Sequence, residues 1–277
     1  MSTSHVAQAL DSVAALRAGG GPGAWRIERA AVADRLAELV REPDLVRQGR
    51  LNLCGPAALF VSWLRRDPVA VVQFARDLYE HGRARLGPRL LMPTRGLREH
   101  PYGGTERARS CPPADWMLLA ALRDATNRVL PYSRPGGLGE PPAAITMPGA
   151  LRSWLTGTGC FTEVVDETVL VRRPGLAHAS ALAPSRDEDV FLLIAQEMFF
   201  APRARWRQAR NRVVSLVPNH WVLLRSPVTL VGDEVRFAFW SWGRVQVAGL
   251  SRAEFERCYH GALRAVGKTL AGLERAT

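Results

Sequence analysis

Lysine is almost missing from this chain: Lys268 is the only one among 37 basic residues, so arginine carries nearly all of a formal net charge of +11. The arginines are scattered, with one loose group at Arg203–Arg212. No zinc-finger spacing and no basic region running into heptads accompanies them, which argues against nucleic acid as the partner. Cysteine is scarce too. Cys54, Cys111, Cys160 and Cys258 form no CxxC pair. That excludes a closely spaced thiolate metal site, does not resemble a disulfide framework, and fits a reducing compartment. No two histidines stand at metal-ligand spacing, and His81, His100, His178 and His260 are isolated, so neither metal nor cofactor is expected. Gly136–Gly139 lacks the lysine and the following helix of a phosphate loop. Long apolar runs are absent, so no membrane span is expected. Met1–Leu10 lacks the basic start and apolar block of a signal peptide. The expectation is a soluble protein made in the cytoplasm, with export by a route needing no cleaved signal left open.

What is present is 277 residues, enough for one large domain or two small ones. Apolar spacing predicts helices over His5–Arg17 and Ala30–Val40, then a polar loop at Arg47–Leu53 and a buried helix over Cys54–Leu64. Asp67 and Pro68 open a further helix that Gly82 closes. Gly87–Pro112 reads as irregular, Pro113–Val129 as helix, Pro131–Pro142 as a surface loop and Met147–Leu155 as a short helix. From there the pattern changes to strands: Phe161–Val165, Thr168–Val171, Val190–Ile194, Val213–Val217, His220–Arg225, Val235–Trp242 and Val245–Val247, with a hairpin turn at Gly232-Asp233. Asp187-Glu188-Asp189 reads as the solvated approach to a strand. Ser251 and Glu254 form a capping box for a last helix over 251–270. Helices first and strands later is an α+β signature with a mostly antiparallel sheet.

Three residues stand where they could do chemistry. Cys54 follows the polar loop and opens the apolar helix, where amide N–H groups favour a thiolate. Gly55 would let a substrate approach, and Pro56 fits a first turn. A buried structural cysteine is the plain alternative. His220 stands at the mouth of the strand Trp221-Val222-Leu223-Leu224; a lone histidine there is more often structural. Gln48 lies six positions before Cys54, and its amide could join the Cys54 backbone N–H in an oxyanion hole.

Together these residues carry a resemblance. Gln48-Gly49 with Cys54 six residues on, and Asn52-Leu53-Cys54-Gly55-Pro56-Ala57-Ala58, resemble the papain-like cysteine peptidases, in particular bacterial branches that include double-glycine leader peptidases. Asn219-His220-Trp221-Val222-Leu223-Leu224 resembles the stretch around the family histidine. Phe239-Trp240-Ser241-Trp242-Gly243 resembles its Asn-Ser-Trp-Gly segment. The likeness consists of two short islands between Gln48 and Gly243. It implies a papain-like α+β fold: a helical extension over 1–46, then a catalytic domain over 47–277. That domain would have a helical half at 47–159, packed against a β-sheet half at 160–250, and a C-terminal helix at 251–270. The implied chemistry is acyl transfer with Cys54 as nucleophile, His220 as base, Gln48 in the oxyanion hole and Trp242 shielding the histidine. The 166 residues from Cys54 to His220 exceed the spacing usual for papain and cathepsins, and Gly87–Pro142 is the candidate insertion. Trp240 falls where the family has its histidine-orienting asparagine, and an indole offers no acceptor. The third role is open among Ser241, Asn219 and Asp233, or is unfilled in a dyad.

The reading that follows is a thiol hydrolase, first of all a cysteine protease acting on a protein or peptide. Amidase, deamidase and transglutaminase-like transfer share its chemistry. A catalytically decayed papain-fold binding protein is the reading from another class. The Arg-rich, signal-free character resembles bacterial effector toxins, whose implied partner is an acidic immunity or inhibitor protein.

Overall fold

The computed structural model describes residues 3–100, 110–126, 146–169, 173–199 and 218–268. The chain divides into two compact units, Met1–Cys160 and Phe161–Thr277. The first is helical and the second is built on an antiparallel sheet, so the α+β expectation holds at that level.

In the first unit, α1 (Thr3–Ala18) turns Ala9, Val13 and Leu16 inward, a three-to-four spacing that lays it along α2 (Arg29–Arg41) and α4 (Pro68–His81). A 3-10 turn at Pro43–Leu45 leads into the loop before α3 (Cys54–Arg66). Every residue of α3 from Cys54 to Leu64 is buried, so it is a core helix rather than an amphipathic one. Phe60 and Trp63 stack at 5.8 Å and both meet Phe74 of α4. Asp67 caps α4 by accepting the Ala70 N–H at 2.9 Å, Pro68 takes the first turn, and Gly82 ends the helix at φ 66°. A short hairpin follows, β1 (Ala84–Leu86) and β2 (Arg89–Leu91), then α5 (Arg95–Glu99), α6 (Pro113–Thr126) and α7 (Pro148–Gly157). The hairpin and α5 correct the expectation of irregular chain from Gly87. Strands of three residues and a helix of five are too short to show a period. Residues 101–109 and the surface loop expected at Pro131–Pro142 lie outside the described residues.

The second unit contains β3 (Phe161–Asp166), α8 (Gly175–Ser180), β4 (Glu188–Ile194) and a 3-10 turn at Gln196–Phe199. It continues with β5 (His220–Leu224), β6 (Thr229–Val231), β7 (Glu234–Ser241), β8 (Arg244–Ser251), α9 (Arg252–Cys258) and β9 (Tyr259–Gly267). The order across the sheet is β3-β9-β4-β5-β7-β6, with β8 on the other edge of β7, and every pairing is antiparallel. One face packs Val222, Leu224, Phe237 and Phe239 against Leu176, Met198 and Phe255. The other face carries Phe191, Leu193, Trp221, Leu223 and Trp240, also buried. Burial on both faces is why β4 and β5 read as continuous apolar runs.

One expectation fails here. The capping box at Ser251 and Glu254 forms, but the helix it starts ends at Cys258, and Tyr259–Gly267 of the expected 251–270 helix is strand β9. β9 lies between β3 and β4 and is buried along nearly its whole length. Gly261, at φ 97°, bulges two residues of β9 against Leu193. A side chain there would put its Cβ 2.2 Å from the Glu167 carbonyl oxygen. Thr168 and Val169 are not strand, and residues 170–172, Val213–Val217 and the arginine group at Arg203–Arg212 lie outside the described residues.

Candidate functional site

Cys54 is the first residue of α3 and 5% exposed. Amides in a helix's first turn have no acceptor within the helix, and Pro56 contributes no N–H, so the donors of this turn belong to Cys54, Gly55 and Ala57. Ala57 already donates to the Leu53 carbonyl at 2.9 Å. Gly55 is enforced by contact: a Cβ there would lie 2.5 Å from the Thr146 side chain, which covers the start of α3.

The loop before Cys54 is fixed by buried polar contacts. Gln48, 4% exposed, donates one Nε2–H to the Leu51 carbonyl at 2.7 Å, while its buried Oε1 has no partner among the described residues. The amide therefore braces its own loop and keeps one N–H for another acceptor. Gly49 has φ 60°, and its Cα approaches Ser110 so closely that a Cβ would lie 2.7 Å from the Ser110 backbone. The Ser110 hydroxyl accepts the Arg50 N–H at 2.8 Å. Asp115, 1% exposed in the first turn of α6, accepts the Arg47 N–H at 2.5 Å and is held by Arg35 Nε at 2.7 Å. Arg35 also reaches the Leu45 carbonyl at 2.6 Å. Burial raises the Asp115 carboxyl above its ordinary range even with Arg35 beside it. Cys111 donates to the Arg47 carbonyl at 3.2 Å, and burial pushes its thiol well up. Asp115, Ser110 and Thr146 escaped the sequence reading. An acid early in a helix looks like ordinary dipole complementation, and the other two have no pattern at all.

In the second unit, His220 is the first residue of β5 and 3% exposed. Its Nε2 lies 2.8 Å from the Ser241 hydroxyl oxygen. Strand alternation explains the choice of Ser241 over its neighbour. Ser241 shares the His220 face, while Trp240 pairs with Leu223 and points to the opposite side. Asn219 accepts the Gln196 N–H at 2.8 Å, capping the turn after β4. Asp233 precedes Glu234 at the far end of β7 from Ser241, roughly 25 Å along the strand. It cannot touch His220.

Trp242 closes the histidine from above, its ring 4.5 Å from the imidazole and nearly parallel at 16°. Phe199 meets the same indole edge-on at 5.9 Å and stacks on Phe239 at 4.3 Å. Trp242 and Gly243 have φ 52° and 79°, a two-residue turn with both central residues left-handed. Asparagine suits the first position; tryptophan there costs about 1–2 kcal/mol. That strain holds an indole over an imidazole. Burial lowers the His220 imidazole to about 3, so it is neutral at neutral pH.

Another polar cluster of the second unit joins its elements. His178 Nδ1 meets the Tyr259 hydroxyl at 2.7 Å and its Nε2 meets Glu167 at 3.3 Å, tying α8 to β9. Among the described residues no group of His, Cys, Asp and Glu could hold a metal ion, and no helix is long and apolar enough to cross a membrane. Comparison with protein-family models, with curated proteins and with solved structures returned no match.

Proposed function

We propose that this chain is a papain-like thiol hydrolase, a cysteine protease of protein or peptide substrates, with Cys54 as nucleophile, His220 as base and Ser241 as the residue that orients His220. The observation that carries the reading is the His220–Ser241 hydrogen bond beneath the Trp242 ring. In this reading the Ser241 hydroxyl oxygen accepts from Nε2–H, the tautomer that leaves Nδ1 with the lone pair a general base needs. Burial keeps that imidazole neutral. Support on the other side is Cys54 at the start of a buried helix, behind a loop pinned by Asp115, Ser110 and Gln48.

The reading requires the Cys54 thiol to reach His220 Nδ1. Nδ1 takes the thiol proton and the thiolate attacks the scissile carbonyl carbon. The oxyanion is met by the Cys54 N–H and the second Gln48 amide N–H. The imidazolium passes its proton to the departing amine, leaving a thioester. Water then adds with Nδ1 as base and the acid departs, restoring the thiol.

The test is the rate of alkylation by dilute iodoacetamide between pH 5 and 9, read site by site by mass spectrometry. Cys54 should react fastest, and His220→Ala should slow it by roughly 10- to 100-fold. If Cys54 reacts no faster than Cys111, Cys160 and Cys258, or if His220→Ala leaves its rate unchanged, the hydrolase reading fails and a binding role takes its place.

A further inference from the structure

Gln48 holds its own amide by one bond, to the Leu51 carbonyl at 2.7 Å, and its buried Oε1 has no partner among the described residues. One bond does not fix the plane of an amide. The direction of the second N–H is therefore set by the backbone that carries the side chain. That backbone is gripped on both sides of Gln48. Before it, Arg35 Nη2 donates to the Leu45 carbonyl at 2.6 Å, and Asp115 accepts the Arg47 N–H at 2.5 Å. The Cys111 thiol donates to the Arg47 carbonyl at 3.2 Å. After it, the Ser110 hydroxyl accepts the Arg50 N–H at 2.8 Å.

Arg35 and Asp115 are the charged part of this grip, and they are joined to each other. Arg35 Nε lies 2.7 Å from Asp115 Oδ2, and Nη2 lies 3.3 Å from Oδ1, the two-pronged contact of a guanidinium with a carboxylate. The remaining nitrogen, Nη1, meets Glu38 at 2.6 Å on the exposed side. The Asp115 side chain is fully buried and that of Arg35 nearly so.

Taking both charges out of water is costly, and an apolar pair of similar size in such a place is often no less stable. Holding α2 against α6 does not need an ion pair. What an apolar pair cannot do is bond the main chain. The bonds that Arg35 and Asp115 have left over go to the Leu45 carbonyl and the Arg47 N–H, the stretch of backbone that leads into Gln48. The direction of those bonds is what the charged pair adds.

We infer that Arg35 and Asp115 are positioning residues for the oxyanion hole: they fix the backbone from Leu45 to Arg47 and so aim the second Gln48 N–H at the oxygen that becomes charged during acyl transfer. The inference rests on the reading of Cys54 as the nucleophile. It assigns the pair to one half of the chemistry, addition to the carbonyl. Formation of the thiolate belongs to Cys54 and His220.

Two reagents separate these halves in the full chain. Iodoacetamide alkylates a thiolate by displacing iodide, and no oxyanion forms. p-Nitrophenyl acetate acylates it through a tetrahedral oxyanion: sulfur bonds to the acetyl carbon, and p-nitrophenolate leaves with the electron pair of the broken C–O bond. Both rates are read at Cys54 by mass spectrometry. In Arg35→Met/Asp115→Leu, acetylation should fall roughly 10- to 100-fold while alkylation stays within about twofold of wild type, and the melting temperature should not drop. Gln48→Ala should show the same split. Added to the double variant it should slow acetylation by less than about twofold more, because all three changes act through one N–H. Arg35→Lys keeps a charge beside Asp115 but lacks the fork that also reaches the Leu45 carbonyl. It should show a split of roughly 3- to 10-fold, and it carries the test if the double variant does not fold. An unchanged acetylation rate overturns the inference. An equal fall in both rates does so too, since it makes the pair a prop of the fold, and so does a fully additive loss with Gln48→Ala. The wild type distinguishes these failures from failure of the hydrolase reading. If neither reagent labels its Cys54 faster than Cys111, Cys160 and Cys258, the nucleophile itself is lost, and the positioning role with it.

Discussion

A single imidazole sets a measurable property of the protein. His220 is held at about 3 by burial, against about 6.5 when unfolded. Above pH 6.5 both states carry it neutral and it adds no slope. Below that, the unfolded chain takes a proton the folded one refuses, so stability falls as pH drops from 6.5 towards 3. The loss totals on the order of 4 kcal/mol. Urea midpoints for the wild type and His220→Gln at pH 7 and pH 4 isolate this contribution, since every carboxylate is common to both. The wild type should lose more on acidification, and parallel losses would sink the assignment. Ser241 is testable in the same spirit. Ser241→Ala removes the Nε2 partner. It should slow Cys54 alkylation about tenfold and shift its pH profile, while Ser241→Asn, which keeps an acceptor, should recover part of the rate. An unchanged profile would leave Ser241 with a packing role only. Ser241 could be nominated from sequence because it neighbours Trp240, and strand alternation then decides between the two. Asp115 could not, because its partners Arg35 and Arg47 are 80 and 68 residues away in the chain.

Two glycines flanking Cys54 separate backbone constraint from side-chain contact. At Gly49 the conformation is left-handed, and a Cβ would meet both the Ser110 hydroxyl and, at 2.7 Å, the Ser110 backbone, which no side-chain change removes. Gly49→Ala should cost about 2 kcal/mol or more, and trimming Ser110 to Gly should rescue little. At Gly55 the obstacle is the Thr146 side chain. Gly55→Ala should cost a similar amount, about 1–3 kcal/mol, and pairing it with Thr146→Gly should recover most of it. Chemical denaturation of the two double-mutant cycles checks both, and equal rescue in each would contradict the distinction. The helices of the first unit were legible because caps and periods are local: Asp67, Pro68 and Gly82 mark α4 without any help from tertiary structure. The stretch after Cys258 was not. Tyr259-His260-Gly261-Ala262-Leu263-Arg264-Ala265-Val266 holds helix-compatible residues behind a genuine capping box. A strand buried on both faces shows no alternation to set against that. The sheet's open slot between β3 and β4 decides the outcome, and it is not written in the segment itself.

Across the whole chain the cysteines give a simple readout. All four are thiols rather than disulfides, and all four are buried. Burial raises the thiols of Cys111 and Cys258. With Cys54 as the proposed nucleophile, a thiol-reactive disulfide reagent should find one fast group, Cys54, in the native protein and four in denaturant. Two or more fast groups in the native state would contradict the burial of Cys111, Cys160 and Cys258. The sheet carries a different consequence, one of timing. β9 is the last of its seven strands to leave the ribosome, yet it lies second in spatial order. β3, made almost a hundred residues earlier, pairs among the described residues only with β9. It must wait unpaired through the synthesis of everything between, with one edge of β4 waiting beside it. Vectorial synthesis can thus deliver the helical unit early, but the sheet closes only in a late, long-range step. A nascent chain stalled before residue 259 would expose two unpaired strand edges, the state in which this protein is most open to chaperones and to aggregation.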